Sequence, residues 1–181
     1  MNIVHTHLEG CFILEPRVFN DGRGYFYESY NKKTFDSATG LNVEFVQDNQ
    51  SFSTRGVLRG LHYQTGDAAQ AKLVRVISGT VLDVAVDLRK HSDTFGKYVA
   101  VELSSENKKQ LFVPRGFAHG FVVLSEEAEF SYKCDNFYSK EHEGGIIYND
   151  KSLAIDWQLS ESELVVSEKD IVLPALENAI Y

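Results

Sequence analysis

The sequence has 181 residues, 43% of them hydrophobic, 24% charged and 12% aromatic, with only three prolines. That length and balance fit one domain, 1–181, with a core of its own, and exclude a disordered chain. A formal net charge of −8 excludes a nucleic-acid polymer as partner, because holding a phosphate backbone takes a basic face; a small anion needs only a few converging Arg and Lys. Cys11 and Cys134 lie far apart and outside C-x-x-C spacing, so a disulfide and two free thiols in a reducing compartment both stay open. Neither Met1–His7 nor any later run has the apolar length of a signal peptide or a membrane span, and the expected location is the cytoplasm.

Short apolar runs broken by turn residues predict an all-β domain with a few short helices. In chain order, the first helix is expected over Asn31–Thr39, stopped by Gly40. Gln47 and Asn49 share one strand face; two neighbouring amides belong either to the surface or to a polar site. In Arg59-Gly-Leu-His62, strict alternation puts Arg59 and His62 on opposite faces, and a site using both requires a bulge near Gly60. Lys72 opens a run with Arg75 on the other face, which leaves its direction open. After the Ser78-Gly79 turn, Val81–Leu88 is the clearest strand, with Leu82, Val84, Val86 and Leu88 on one face and Asp83 and Asp87 on the other. Lys97–Leu103 continues the pattern through Val99, Val101 and Leu103.

Further on, Gln110–Leu124 carries Pro114 and Gly116 and is expected to hold two strands around a loop. In Ala128–Cys134, alternation turns Ala128, Phe130, Tyr132 and Cys134 inward, where Tyr132 reads as a core tyrosine with a bonded hydroxyl. Ser160–Leu164 is a second helix candidate. Ser167-Glu-Lys-Asp170 spells a capping box, in which Asp170 merely closes a helix N-terminus. An antiparallel barrel arranges this many short strands without exposed edges, although alternation alone does not separate barrel from sandwich.

Two histidines stand in strand-like sequence beside Arg and Gly: His62 in Arg59-Gly-Leu-His-Tyr-Gln64 and His119 in Pro114-Arg-Gly-Phe-Ala-His-Gly-Phe121. Each fits a hydrogen-bonded core position or a shared pocket, where Gly permits close approach of a ligand. Neither has a second His nearby, and the only H-x-H, His5 and His7, lies at the N-terminus, where chains fray. No metal site is expected.

Several stretches together resemble the dTDP-4-dehydrorhamnose 3,5-epimerase family. They are Phe19-Asn-Asp-Gly-Arg-Gly-Tyr-Phe-Tyr-Glu28, Phe45-Val-Gln-Asp-Asn49, Val57-Leu-Arg-Gly-Leu-His62, Lys72-Leu-Val-Arg75, Phe112–Phe121, Tyr132-Lys-Cys-Asp-Asn-Phe-Tyr138 and Ser167–Asp170. The resemblance runs in the family order from about the first strand to Pro174. It implies a cupin-type jelly-roll barrel, a homodimer, no cofactor, and inversion of carbons 3 and 5 of dTDP-4-dehydro-6-deoxy-D-glucose on the way to dTDP-rhamnose. By the same resemblance His62 is the general base, Asp170 its orienting carboxylate, Tyr132 the acid on the opposite face and Lys72 the cation beside the carbon-4 oxygen. Arg23, Glu28, Gln47, Asn49, Arg59 and His119 match substrate-contacting positions, Tyr138 the residue stacking on thymine, and Glu143 and Lys169 further contacts. Ala71, where the family usually has Gly, and Tyr148, in place of a common Trp, depart from the pattern away from these roles. Two other readings are an epimerase acting at carbon 3 or carbon 5 alone, and a non-catalytic cupin that only binds a sugar nucleotide; the latter has no need of an acid and a base on opposite faces.

Overall fold

The computed structural model describes residues 1–181. Its strands follow the turn-punctuated apolar runs. The first seven are β1 (Asn2–His5), β2 (Phe12–Glu15), β3 (Phe19–Asp21), β4 (Gly24–Phe26), β5 (Gln47–Thr54), β6 (Val57–Gln64) and β7 (Lys72–Ser78). The rest are β8 (Thr80–Asp87), β9 (Tyr98–Ser104), β10 (Gln110–Val113), β11 (Phe117–Val123), β12 (Glu127–Cys134), β13 (Glu143–Gly145) and β14 (Val165–Val166). Two α-helices, α1 (Lys32–Thr39) and α2 (Glu168–Ile171), and four short 3₁₀ turns complete the chain.

One sheet has the order β1-β2-β10-β7-β12-β5, and the other β13-β6-β11-β8-β9, with β14 parallel to β6 at its edge. The two face each other as a flattened jelly-roll barrel, the architecture expected above, and β3 and β4 form a separate hairpin. No helix is long and apolar enough to cross a membrane.

Local signals explain the boundaries. Asn31 caps α1 by accepting from the Thr34 N–H, and Gly40 ends it with φ +72°, a left-handed value natural to glycine. Phe35 on α1 is wholly buried against Phe12, Phe45 and Phe112. Pro114–Gly116 separates β10 from β11 as predicted. Ser160 and Glu163 form a reciprocal capping box on a single 3₁₀ turn, Glu161–Glu163. The N-terminus does not fray: β1 pairs with β2 along its whole length, and His7 Nε2 reaches the Tyr98 carbonyl oxygen at 3.1 Å. Cys11 and Cys134 are both free and buried, and burial pushes the Cys11 thiol up to about 12.

Between the sheets, Val74, Val76, Val81, Ala85, Phe117, Phe121, Ala128 and Phe130 form the barrel core. A second apolar layer lies outside the β6–β11–β8 face, where Leu82, Val84, Val86 and Leu88 meet Leu153, Trp157 and Leu176 of the C-terminal segment. Each such side chain contributes about 1.5–3 kcal/mol by leaving water. The consequence for β8 is unusual for a half-polar strand. Its apolar face is covered by the C-terminal segment, while the face carrying Asp83 and Asp87 looks into the barrel, with both aspartates fully buried. Asp87 is matched there by Arg89, Ser92 and Thr94, all within 2.9 Å of its carboxylate. Asp83 reaches a histidine.

Candidate active site

At one end of the barrel the sheets part around a cavity of about 610 Å³, lined from both sides. A neighbouring cavity of about 320 Å³ shares Asn49, His62, Lys72 and Tyr132 with it.

On the second sheet the decisive feature is a bulge in β6. His62 pairs with His119 of β11, but Arg59 pairs with Phe121, so the register slips by one between them. Gly60 and Leu61 thus stand against the single Gly120, and Arg59 and His62 come to the same cavity. Gly60 has φ +120°, and a Cβ there would lie 2.6 Å from Gly120 Cα and 2.8 Å from the His119 carbonyl oxygen. No other residue fits without moving the backbone that carries both functional side chains.

β14 runs beside β6 and delivers α2 to this point. The Asp170 backbone N–H donates to Ser167 Oγ at 3.2 Å, which is half of the expected capping box. The Asp170 carboxylate does other work: Oδ1 lies 2.7 Å from His62 Nε2 and Oδ2 accepts from the Gly60 N–H at 3.3 Å. Burial raises this carboxyl, but the bonds and charge from His62 and the Gly60 amide outweigh it and hold it below the usual carboxylate range. Facing a carboxylate, His62 Nε2 carries the proton, which leaves Nδ1 as the basic nitrogen.

From the opposite sheet come Lys72 and Tyr132. Alternation with Val74 and Val76 turns Lys72 inward, whereas Arg75 faces outward to the Tyr27 hydroxyl at 3.3 Å. Burial pulls the Lys72 ammonium below its ordinary range, opposed by Cys134 and Asp83; its Nζ lies 5.8 Å from the centre of the Tyr132 ring. Tyr132 packs on Phe130 with its hydroxyl free of any protein hydrogen bond, which corrects the expectation of a bonded core tyrosine. Burial, then Cys134, raises its phenol, with Arg59 opposing, so it holds its proton well above neutral pH. Asn49 pairs with Tyr132 across β5 and β12, accepts from Gln47 Nε2 at 3.1 Å and donates to Cys134 Sγ at 3.7 Å. The two amides therefore belong to the polar site, not the surface.

The arrangement is thus a histidine–carboxylate pair on one sheet facing a protonated tyrosine and a half-buried lysine on the other. The comparisons give it a family. The family model described as dTDP-4-dehydrorhamnose 3,5-epimerase matches residues 5–178. The chain belongs to the dTDP-4-dehydrorhamnose 3,5-epimerase family. It is 58% identical to the Shigella flexneri enzyme of that name over 171 residues, 94% of this chain and 93% of that one. A crystal structure of the Elizabethkingia anophelis epimerase superposes with a TM-score of 0.96 at 61% identity, covering 100% and 99% of the two chains. That of the Legionella pneumophila dTDP-6-deoxy-D-glucose-3,5-epimerase, in complex with dTDP-4-keto-L-rhamnose, gives 0.94 at 50% identity, covering 98% and 93%.

The remaining positions that the epimerase family resemblance picked out divide into two groups. Arg59 lines the larger cavity and donates to Ser53 Oγ at 3.1 Å. His119 lines it too, buried, with Nε2 2.9 Å from Asp83 Oδ1. At the mouth, Glu143 ties Tyr138 to Lys169: it accepts from the Tyr138 hydroxyl at 2.9 Å and from Lys169 Nζ. Burial raises the Glu143 carboxyl, and these two bonds bring it below its usual range. Arg23 and Glu28, in contrast, line neither cavity. Arg23 sits on the β3–β4 turn, exposed and paired with Asp21, and Glu28 accepts from Asn31 Nδ2 and Thr34 Oγ1. Sequence reasoning did not single out Asp83, Ser53, Phe121 or Phe130 as site residues; the only signal for Asp83 was its place on the polar face of a strongly apolar strand.

Proposed function

We propose that the chain inverts carbons 3 and 5 of dTDP-4-dehydro-6-deoxy-D-glucose by proton transfer through an enolate, with His62 as base, Tyr132 as acid and Lys72 at the developing oxyanion. The observation that carries this reading is the approach of His62–Asp170 and of Tyr132 from opposite walls of one cavity. A proton beside a ketone is acidic because the resulting carbanion delocalises onto oxygen. An ammonium held near that oxygen stabilises the charge as it develops, and counts for more in a cavity partly shielded from water. His62 Nδ1 takes the proton; Asp170 holds the ring in the required tautomer and offsets the imidazolium charge. Tyr132, kept protonated by burial, supplies a proton to the other face, and the phenolate recovers one from solvent. Carbons 3 and 5 flank the same ketone, so one base and one acid serve both if the sugar shifts between steps. No step calls on a metal or a redox cofactor. Arg59 and Lys169 at the cavity support binding of the diphosphate, and Tyr138 that of the thymine.

Incubation with dTDP-4-dehydro-6-deoxyglucose in deuterated water, followed by proton NMR, tests the reading. Deuterium is expected at both carbons 3 and 5, with or without prior chelation. Label at one carbon alone points to a single-position epimerase, an unlabelled substrate to a mere binder, and loss of labelling on chelation to a metal-dependent route.

The homodimer belongs to the same reading. Arg23 and Glu28 match substrate-contacting positions yet lie outside their own chain's cavity, and the hairpin that carries Arg23 exposes Phe19, Tyr25 and Phe26. A second copy that presents this hairpin to the cavity reconciles the two. Light scattering in solution is expected to give the mass of two chains; a mass of one chain removes the proposal.

A further inference from the structure

The cavity wall holds a second histidine–carboxylate pair that the chemistry above leaves unused. Asp83 points inward from β8 and is fully buried. One of its oxygens takes the contact from His119 Nε2 at 2.9 Å, but Oδ2 is buried with no hydrogen-bond partner. A carboxylate accepts about four hydrogen bonds, and burying one half-satisfied is unfavourable unless a cation compensates it. The other three buried aspartates have dedicated partners: Asp87 in Arg89, Asp170 in His62, and Asp150 in Ser152 and the backbone N–H groups of Leu153 and Leu176.

Lys72 presents the complementary problem. Its side chain is half-buried and forms none of the ion pairs of the chain, and the groups whose charge acts on it are Cys134 and Asp83. The other ionisable side chains lining the two cavities with it are Tyr132 from β12, Arg59, His62 and Tyr63 from β6, His119 from β11, Lys169 and Asp170 from α2, and Tyr138 and Glu143 at the smaller cavity; β5 offers no ionisable group there. Asp170 is already engaged by His62 and the Gly60 N–H, and Glu143 by Tyr138 and Lys169, so Asp83, with Oδ2 unpartnered, is the carboxylate left with an oxygen to offer as counter-ion.

We propose that Asp83 is a positioning residue of this site, which fixes His119 with Nε2–H toward its carboxylate and supplies the counter-charge for the Lys72 ammonium. The proposal rests on the reading of Lys72 as the cation at the ketone oxygen. Its consequence has a definite sign. Burial favours the neutral amine of Lys72, and Asp83 opposes that. Loss of the Asp83 charge makes Lys72 give up its proton at lower pH, and the enolate loses its stabilising cation there.

The test compares Asp83→Asn with the full-length wild-type protein in kcat and KM across pH. The variant is expected to lose roughly tenfold to a hundredfold in kcat, with KM little changed and the alkaline limb of the kcat profile moved to lower pH. In a Lys72→Met background, Asp83→Asn is expected to cost almost nothing further, because both act through one charge. An unmoved alkaline limb, or a loss that adds in full to that of Lys72→Met, overturns the proposal. If Asp83→Asn alone does not fold, thermal melting of Lys72→Met and of the double variant decides. A higher melting temperature for the double variant supports the pairing, since removal of both charges leaves no buried orphan, and no gain overturns it. The melting comparison needs no turnover. Failure of wild type to exchange substrate protons thus counts against the epimerase reading and not against the Asp83–Lys72 pairing.

Discussion

Replacement of His62 by Asn is expected to abolish both solvent-proton exchange and epimerisation while the substrate still binds. An amide of similar size keeps a hydrogen bond to Asp170 but offers no base near neutral pH. Loss of general base catalysis alone accounts for about 10²–10⁴ in rate, and in the proposed mechanism the same group starts both inversions. The fold is expected to persist, because His62 is only half-buried in the wall and the Asp170 carboxylate retains the Gly60 N–H as a second partner. Asp170→Asn is expected to act in the same direction and less completely, since in the proposed mechanism that carboxylate orients the ring and offsets its charge without itself taking the proton. Kinetics together with calorimetric binding separate the cases. Near-normal turnover in His62→Asn means the base lies elsewhere. A loss of melting temperature without a loss of rate in Asp170→Asn returns that residue to the role of helix cap.

Tyr132→Phe is expected to uncouple exchange from inversion. In a two-face mechanism His62 removes the proton from one side and Tyr132 returns one from the other. Without the hydroxyl the first half survives, because His62, Lys72 and the ketone still form the enolate. The enolate then takes a proton back only from His62, on the face it left. That return restores the starting configuration, yet it carries deuterium once the imidazole has exchanged with solvent. Recovered substrate should therefore gain label faster than inverted product appears, with product formation down by about 10²-fold or more. The ring stays in place against Phe130. Since the hydroxyl bonds to no protein group, stability is expected to change by no more than about 0.5 kcal/mol. Equal loss of exchange and inversion in a well-folded variant counts against this division of labour; undiminished inversion takes Tyr132 out of the mechanism.

The two residues differ in how much of their placement the chain reveals locally. Tyr132 follows from period-two alternation within one strand: Ala128, Phe130, Tyr132 and Cys134 share a face because successive side chains of a strand point to opposite sides. His62 does not. Alternation places it opposite Arg59, and they meet only because the β6–β11 register slips at Gly60, a matter of how two strands distant in sequence pair. Asp170 is more local and more misleading. Its sequence context is that of a cap, and half of that cap forms, while the carboxylate is claimed by a histidine 108 residues away.

By itself the sequence determined the β-rich single chain, the positions of turns and of α1, the inward face of β12 and, through its motifs, the family and the chemistry it practises. These rest on spacing within a few residues, where steric period and capping hydrogen bonds act. Tertiary structure alone decided which face of β8 is the interior, that Lys72 and not Arg75 enters the cavity, that Asp83 joins His119, and that Arg23 and Glu28 stay outside the site of their own chain. Each of these depends on what lies across the barrel. A strand flanked by a facing sheet on one side and by the C-terminal segment on the other buries both its faces, and alternation then no longer says which polar residues are solvated and which are held in the site.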